Sequence, residues 1–161
     1  MSWIHDLARR VHAAAAQAAL LRTDTKNAVL NDVAARIEGD ARLVQQANEE
    51  DVAAARDAGL SDAKLQRLAL SDTSLNQICT GLRQVAELPD PVGQIAREYT
   101  VPSGLLVRKV RSPLGVILMI YEARPSVTVD AFALCFKSGN ACLLKGGREA
   151  ARTNAALAER I

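Results

Sequence analysis

The sequence predicts an α/β protein with three successive regions: a helical bundle over residues 1–92, a β-hairpin over 93–111, and a βαβ unit within 112–161. Three observations predict this order. Before residue 90, apolar side chains recur at helical spacing between capping residues and Gly stops. Residues 94–111 alternate in character around Val101-Pro102-Ser103-Gly104. After Pro113, two short apolar runs flank a helical pattern, and charged groups gather where each run ends.

The elements follow in order. Residues 2–22 read as a helix, because the run AAAAQAALL favours helix by propensity. A second helix spans residues 24–39, with Leu30, Val33, Ala34 and Ile37 on one face. A third covers 40–58 and stops at Gly59. Ser61 suits the cap of a short fourth helix carrying Leu65 and Leu68, and Ser71 or Asp72 that of a fifth. The fifth presents Leu75, Ile78, Leu82, Val85 and Leu88, and Pro89 and Pro91 end it. In the hairpin, Pro102 at the second and Gly104 at the fourth turn position suit a type I turn.

Residues 116–121, VILMIY, form a continuous apolar run suited to a strand buried on both faces. A helix over 127–137 follows, with Ser126 as its N-cap and Val129, Phe132, Ala133 and Phe136 at helical spacing. Gly139 in Ser138-Gly139-Asn140 suits a left-handed cap. A second strand covers 141–144 and leads into Lys145-Gly146-Gly147-Arg148, and a last helix covers 148–161. Two parallel strands joined by a crossover helix make a βαβ unit, and such sheets bind ligands at the carboxyl ends of their strands.

Composition narrows the function. The chain has 161 residues, 49% hydrophobic and only 3% aromatic, enough for one core built from Ala, Leu, Val and Ile. Residues 1–90 carry 10 Lys and Arg against 13 Asp and Glu, whereas residues 91–161 carry 10 against 5. The basic half is the half with the βαβ unit, which suits small phosphorylated ligands or simply a solvated surface. No basic run is interleaved with aromatics, so nucleic acid is not an expected partner. No apolar run approaches the length of a membrane span, and no basic segment leads into an apolar one as in a signal peptide. Cys79, Cys135 and Cys142 form no CxxC pair and suit reduced thiols in the cytoplasm. No metal site is expected.

The PLGV strand, the loop containing Pro125, the helix, the Gly139-Asn140 turn and the strand ending in Lys145 resemble the opening of the nucleotide-binding domain in the aldehyde dehydrogenase superfamily. YEARPSVTVD and KSGNACLLKGGREA resemble the gamma-glutamyl phosphate reductase (glutamate-5-semialdehyde dehydrogenase) family of proline biosynthesis, and NEEDVAAARDAGLSDAKLQRLAL and ELPDPVGQ resemble its helical N-terminal region. The resemblance covers essentially the whole chain, which stops well short of half the family's length. It implies the N-terminal part of an oxidoreductase that reduces L-glutamyl 5-phosphate with NADPH to L-glutamate 5-semialdehyde, releasing phosphate. It also implies residues 112–161 as the first part of a Rossmann-like NADP-binding domain, truncated here, and a homo-oligomer that the hairpin helps assemble.

The resemblance places Lys145, Gly146, Gly147 and Arg148 at the adenosine ribose of the cofactor. Lys145 matches the ribose-binding Lys, and the glycines leave room for a phosphate. Arg148 stands where many NAD-using relatives have Glu; a guanidinium attracts a 2′-phosphate that a carboxylate would repel. The open alternative for Arg148 is a solvated start to the next helix. Glu122 and Arg124 form the expected substrate loop, with Arg124 gripping an anion by paired hydrogen bonds or else pairing with Glu122 to hold the loop. Ala123 aligns where the superfamily has an Asn that stabilises the oxyanion. The family's nucleophilic Cys lies beyond Ile161, so no catalytic residue is assigned in this chain, which alone is expected to be inactive. Two alternatives stay open: another acyl-reducing aldehyde dehydrogenase, or a non-catalytic helical binding module. The sequence following Ile161 discriminates them.

Overall fold

The computed structural model describes residues 2–161. Five helices come first: α1 (Trp3–Ala18), α2 (Thr23–Gly39), α3 (Ala41–Asp57), α4 (Asp62–Leu68) and α5 (Asp72–Glu87). The hairpin β1 (Ile95–Thr100) and β2 (Leu106–Val110) follows, then β3 (Val116–Ile120), α6 (Pro125–Lys137) and β4 (Ala141–Lys145). A 3₁₀ turn (Arg148–Ala150) leads into α7 (Ala151–Ala158).

Most boundaries have the expected local cause. The Ser71 hydroxyl accepts from the Ser74 amide at 3.1 Å and caps α5. Gly59, after α3, and Gly139, after α6, take φ of 77° and 76°, the left-handed region open to glycine. In the hairpin turn the Gly104 amide donates to the Val101 carbonyl at 2.8 Å.

The main core joins the helical region to the βαβ unit. Leu30, Val33 and Ile37 of α2, Ile78 and Leu82 of α5, Val129 and Phe132 of α6, and Leu157 of α7 share one buried cluster. Burying each such side chain contributes about 1.5–3 kcal/mol. Two lysines lie inside this assembly. Lys26 is fully buried, with Nζ 2.9 Å from Asp90 Oδ2. Lys137 donates to Asn27 Oδ1 at 2.5 Å and to the Ala86 carbonyl at 2.9 Å. Burial, the largest single effect, pushes the Asp90 carboxyl up, yet hydrogen bonds from Lys26, the Val92 amide and Thr23 together hold it below its ordinary value. Burial pulls Lys137 below the usual lysine range.

The strands form two separate sheets. β1 and β2 pair antiparallel, and every β1 residue is exposed. β3 and β4 pair in parallel, from Val116 opposite Ala141 to Ile120 opposite Lys145. Asn140 pins the start of β3: its Oδ1 accepts from the amides of Leu114 and Gly115 at 2.6 and 2.9 Å.

Four expectations are corrected. The first helix ends at Ala18 rather than residue 22. Ser126 does not cap α6; the helix starts at Pro125, whose ring fixes a helical φ at the first position, and Arg124 is the N-cap residue. The last helix is broken, because Arg148–Ala150 wind as a tighter 3₁₀ turn before α7. β3 is not buried on both faces: Val116, Leu118 and Ile120 are exposed and alternate with half-buried Ile117 and Met119, since β4 is its only paired strand among the described residues.

Candidate functional site

The parallel register brings the carboxyl ends of β3 and β4 together. The Tyr121 amide donates to the Lys145 carbonyl at 3.1 Å, so the two outgoing loops start side by side. They touch at Gly147, where a β-carbon would stand 2.6 Å from Glu149 Oε2 and 3.2 Å from the Ala123 backbone nitrogen. At Gly146 a β-carbon would strike the Asn154 amide and come within 3.2 Å of the Tyr121 ring. Both glycines therefore have a packing reason on this structure, beside the room they leave for a ligand. Beneath them, the Tyr121 hydroxyl meets Thr128 Oγ1 at 2.6 Å, and Thr128 donates to Asn154 Oδ1 at 2.9 Å.

Glu122, Ala123, Gly147 and Glu149 line one hollow of about 330 Å³, closed on its far side by Leu60, Lys64 and Arg67. The structure thus brings Glu122 of the expected substrate loop and Gly147 of the expected cofactor segment into a single crevice. Lys145, Arg124 and Arg148 are exposed and lie outside this lining. Glu122 does not pair with Arg124. Its Oε2 faces Arg67 Nη1 at 3.7 Å, while the Arg124 amide donates to the Glu122 carbonyl at 2.8 Å and tightens the turn. The chain bends at Ala123, between the two residues.

Sequence reasoning missed Lys64 and Arg67, since they sit on a short helix far upstream with no motif around them. It also missed Asp51, which holds the site's outer helix. Asp51 is buried in α3, and its Oδ2 accepts from both the amide and the hydroxyl of Thr153 at 2.8 Å. This carboxylate caps α7 from another helix and suits the positive end of its dipole. Asn48 joins in, donating to Thr153 Oγ1 at 3.2 Å and to the Leu68 carbonyl at 2.9 Å.

None of the three thiols is poised as a nucleophile. Cys79 and Cys135 are buried, and burial raises both thiol pKa values. Burial, with the nearby Cys135 adding to it, pushes Cys142 up to about 11. A thiol held protonated is a poor attacking group. Among the described residues no group of three His, Cys, Asp or Glu side chains is arranged to hold a metal ion, and no helix is long and apolar enough to cross a membrane.

No family model matches the chain. A search of curated proteins finds the gamma-glutamyl phosphate reductase of Desulforapulum autotrophicum, 50% identical over 160 residues. From one end to the other, the chain resembles part of a gamma-glutamyl phosphate reductase. It spans 38% of the length of that relative, while 99% of the chain is matched. Two crystal structures of gamma-glutamyl phosphate reductases agree, each at 33% identity over 99% of this chain. The Thermotoga maritima enzyme superposes with a TM-score of 0.93 over 38% of its length, and the Saccharomyces cerevisiae enzyme with 0.94 over 41%. At that identity and overlap the reductases share this arrangement of helices, hairpin and βαβ unit.

Proposed function

We propose that this chain is the N-terminal part of a cytoplasmic, homo-oligomeric gamma-glutamyl phosphate reductase, in which it builds the opening of a Rossmann-like NADP-binding domain and one substrate loop. The complete enzyme reduces L-glutamyl 5-phosphate to L-glutamate 5-semialdehyde and releases phosphate. The observation that carries this reading is the crevice where the loops after β3 and β4 meet, with Gly147 packed against Ala123 at the carboxyl edge of a parallel sheet. The residues present fit a phosphorylated dinucleotide, because Lys145 and Arg148 stand exposed beside the crevice without carboxylate partners among the described residues.

In this reading Lys145 and the Gly146-Gly147 backbone hold the adenosine ribose, and Arg148 contributes positive charge for its 2′-phosphate. When bound, the cofactor supplies the hydride. Arg124, exposed at the N-terminus of α6, takes a substrate anion through paired hydrogen bonds, and Glu122 belongs to the same substrate loop. The three protonated thiols leave the nucleophile to a residue outside this chain, so residues 1–161 alone are inactive.

The test is phosphate-dependent oxidation of glutamate 5-semialdehyde, followed as NADP reduction, with the protein expressed from the complete gene. Turnover is expected there and not with the 161-residue chain. Arg124→Lys keeps the charge and loses the paired geometry. It is expected to cost about 1.5–3 kcal/mol on the acyl phosphate while sparing cofactor binding. Equal behaviour of wild type and variant would remove Arg124 from the substrate site, and no semialdehyde chemistry at all would favour a binding module.

A further inference from the structure

We propose that Lys64 and Arg67 of α4 form the pocket for the cofactor's 2′-phosphate and so set the preference for the phosphorylated dinucleotide, an inference that rests on the reading of Lys145–Arg148 as the ribose segment. The two cations are three residues apart, which places them on one face of the helix. That face looks across the hollow of about 330 Å³ at Gly147 and Glu149. One wall of the crevice thus offers two positive charges, and the other offers a close backbone and the carboxylates of Glu122 and Glu149.

A phosphorylated ribose matches that division. Its phosphate is a dianion for Lys64 and Arg67, and its free hydroxyl is a donor for Glu149. Neither cation is committed elsewhere. Lys64 has no ion pair among the described residues, and Arg67 reaches Glu122 only at 3.7 Å, with both side chains more than half exposed. Such a pair is weak and exchanges readily for a phosphate able to accept several hydrogen bonds at once. Arg148, next to Gly147 in sequence, adds to the positive charge that this phosphate meets. An amino-acid head group fits less well: the carboxylates that its ammonium needs are split between two loops, and Arg67 already faces one of them.

The experiment titrates adenosine 2′,5′-bisphosphate and AMP into the protein expressed from the complete gene, by calorimetry. The wild type is expected to prefer the bisphosphate. Lys64→Ala/Arg67→Ala is expected to weaken the bisphosphate about tenfold or more and AMP less than about twofold. Both side chains are exposed, so a melting curve matching the wild type is expected of the variant. Glu122→Gln releases Arg67 and is expected to tighten the bisphosphate; unchanged or weaker binding counts against the proposal. An intact preference in the double variant overturns the proposal and leaves the cofactor reading standing. A wild type that binds neither nucleotide overturns the cofactor reading and this proposal with it. Loss of L-glutamate binding in the double variant, with nucleotide binding intact, also overturns it.

Discussion

The helical region and the parallel sheet treat the same kinds of side chain in opposite ways. In the helices even lysine is taken inside: Lys26 is 0% exposed and held by Asp90. In the sheet even isoleucine is left out: Ile120 is 68% and Leu118 60% exposed. The difference lies in how each element satisfies its backbone. A helix bonds its own backbone, so it only needs one covered stripe, and α2, α5 and α6 cover one another. A strand needs a neighbour on each edge and a cover on each face, and β3 has one paired strand among the described residues. The bundle's stability therefore resides in core packing, whereas the sheet's outward side contributes little.

Truncation in the two regions tests this contrast most strongly. Leu30→Ala removes a fully buried side chain and is expected to cost about 2–5 kcal/mol in urea unfolding. Leu118→Ala, the same chemical change on the sheet, is expected to cost less than about 0.5 kcal/mol. Similar costs at both sites would break the comparison.

The link between the regions comes next. Asp51→Ala strips α7 of its cap and leaves the buried Thr153 amide and hydroxyl without their carboxylate. The expected loss is about 1–3 kcal/mol, read from the same unfolding curves.

Acid titration probes the bundle's buried pair. The folded carboxyl of Asp90 lies below its ordinary value of 3.8, so its contribution is present above that value and is lost as pH falls through the lower, folded one. Asp90→Asn is expected to flatten the acid limb of stability against pH below about 4, and an unchanged limb would locate acid sensitivity elsewhere.

The smallest effect on unfolding is expected from Leu118→Lys/Ile120→Lys, which should leave the midpoint nearly unchanged. Exposed apolar strands template association, so the 161-residue chain is expected to self-associate and this variant to do so less, by sedimentation. A wild-type chain that sediments as a monodisperse monomer and melts sharply would show that the sheet needs no cover.

The same contrast explains what was legible in the sequence. Local signals translated directly: Ser71 capped, Gly59 and Gly139 stopped their helices, and Val101–Gly104 turned the hairpin, because each depends on a few adjacent residues. The apolar run of β3 was legible as a strand, but its burial was not, since burial belongs to neighbouring strands. Ser126 falls inside α6 rather than at its cap, because the Pro125 ring starts the helix one residue earlier and leaves Arg124 as the N-cap residue. At the site, the loops after β3 and β4 were legible through their motifs. Lys64, Arg67 and Asp51 were not, because only tertiary packing carries a residue of α3 or α4 to partners 55 to 102 positions later.

The bond from Asp51 to Thr153 also ties two exchange clocks together. The first amides of α7 have no intrahelical acceptor, so the Thr153 proton is shielded by a carboxylate that belongs to α3. Any opening that lifts α3 away must release that proton to solvent at the same moment. The two helices, far apart in the chain, are therefore expected to exchange as one cooperative unit of local unfolding.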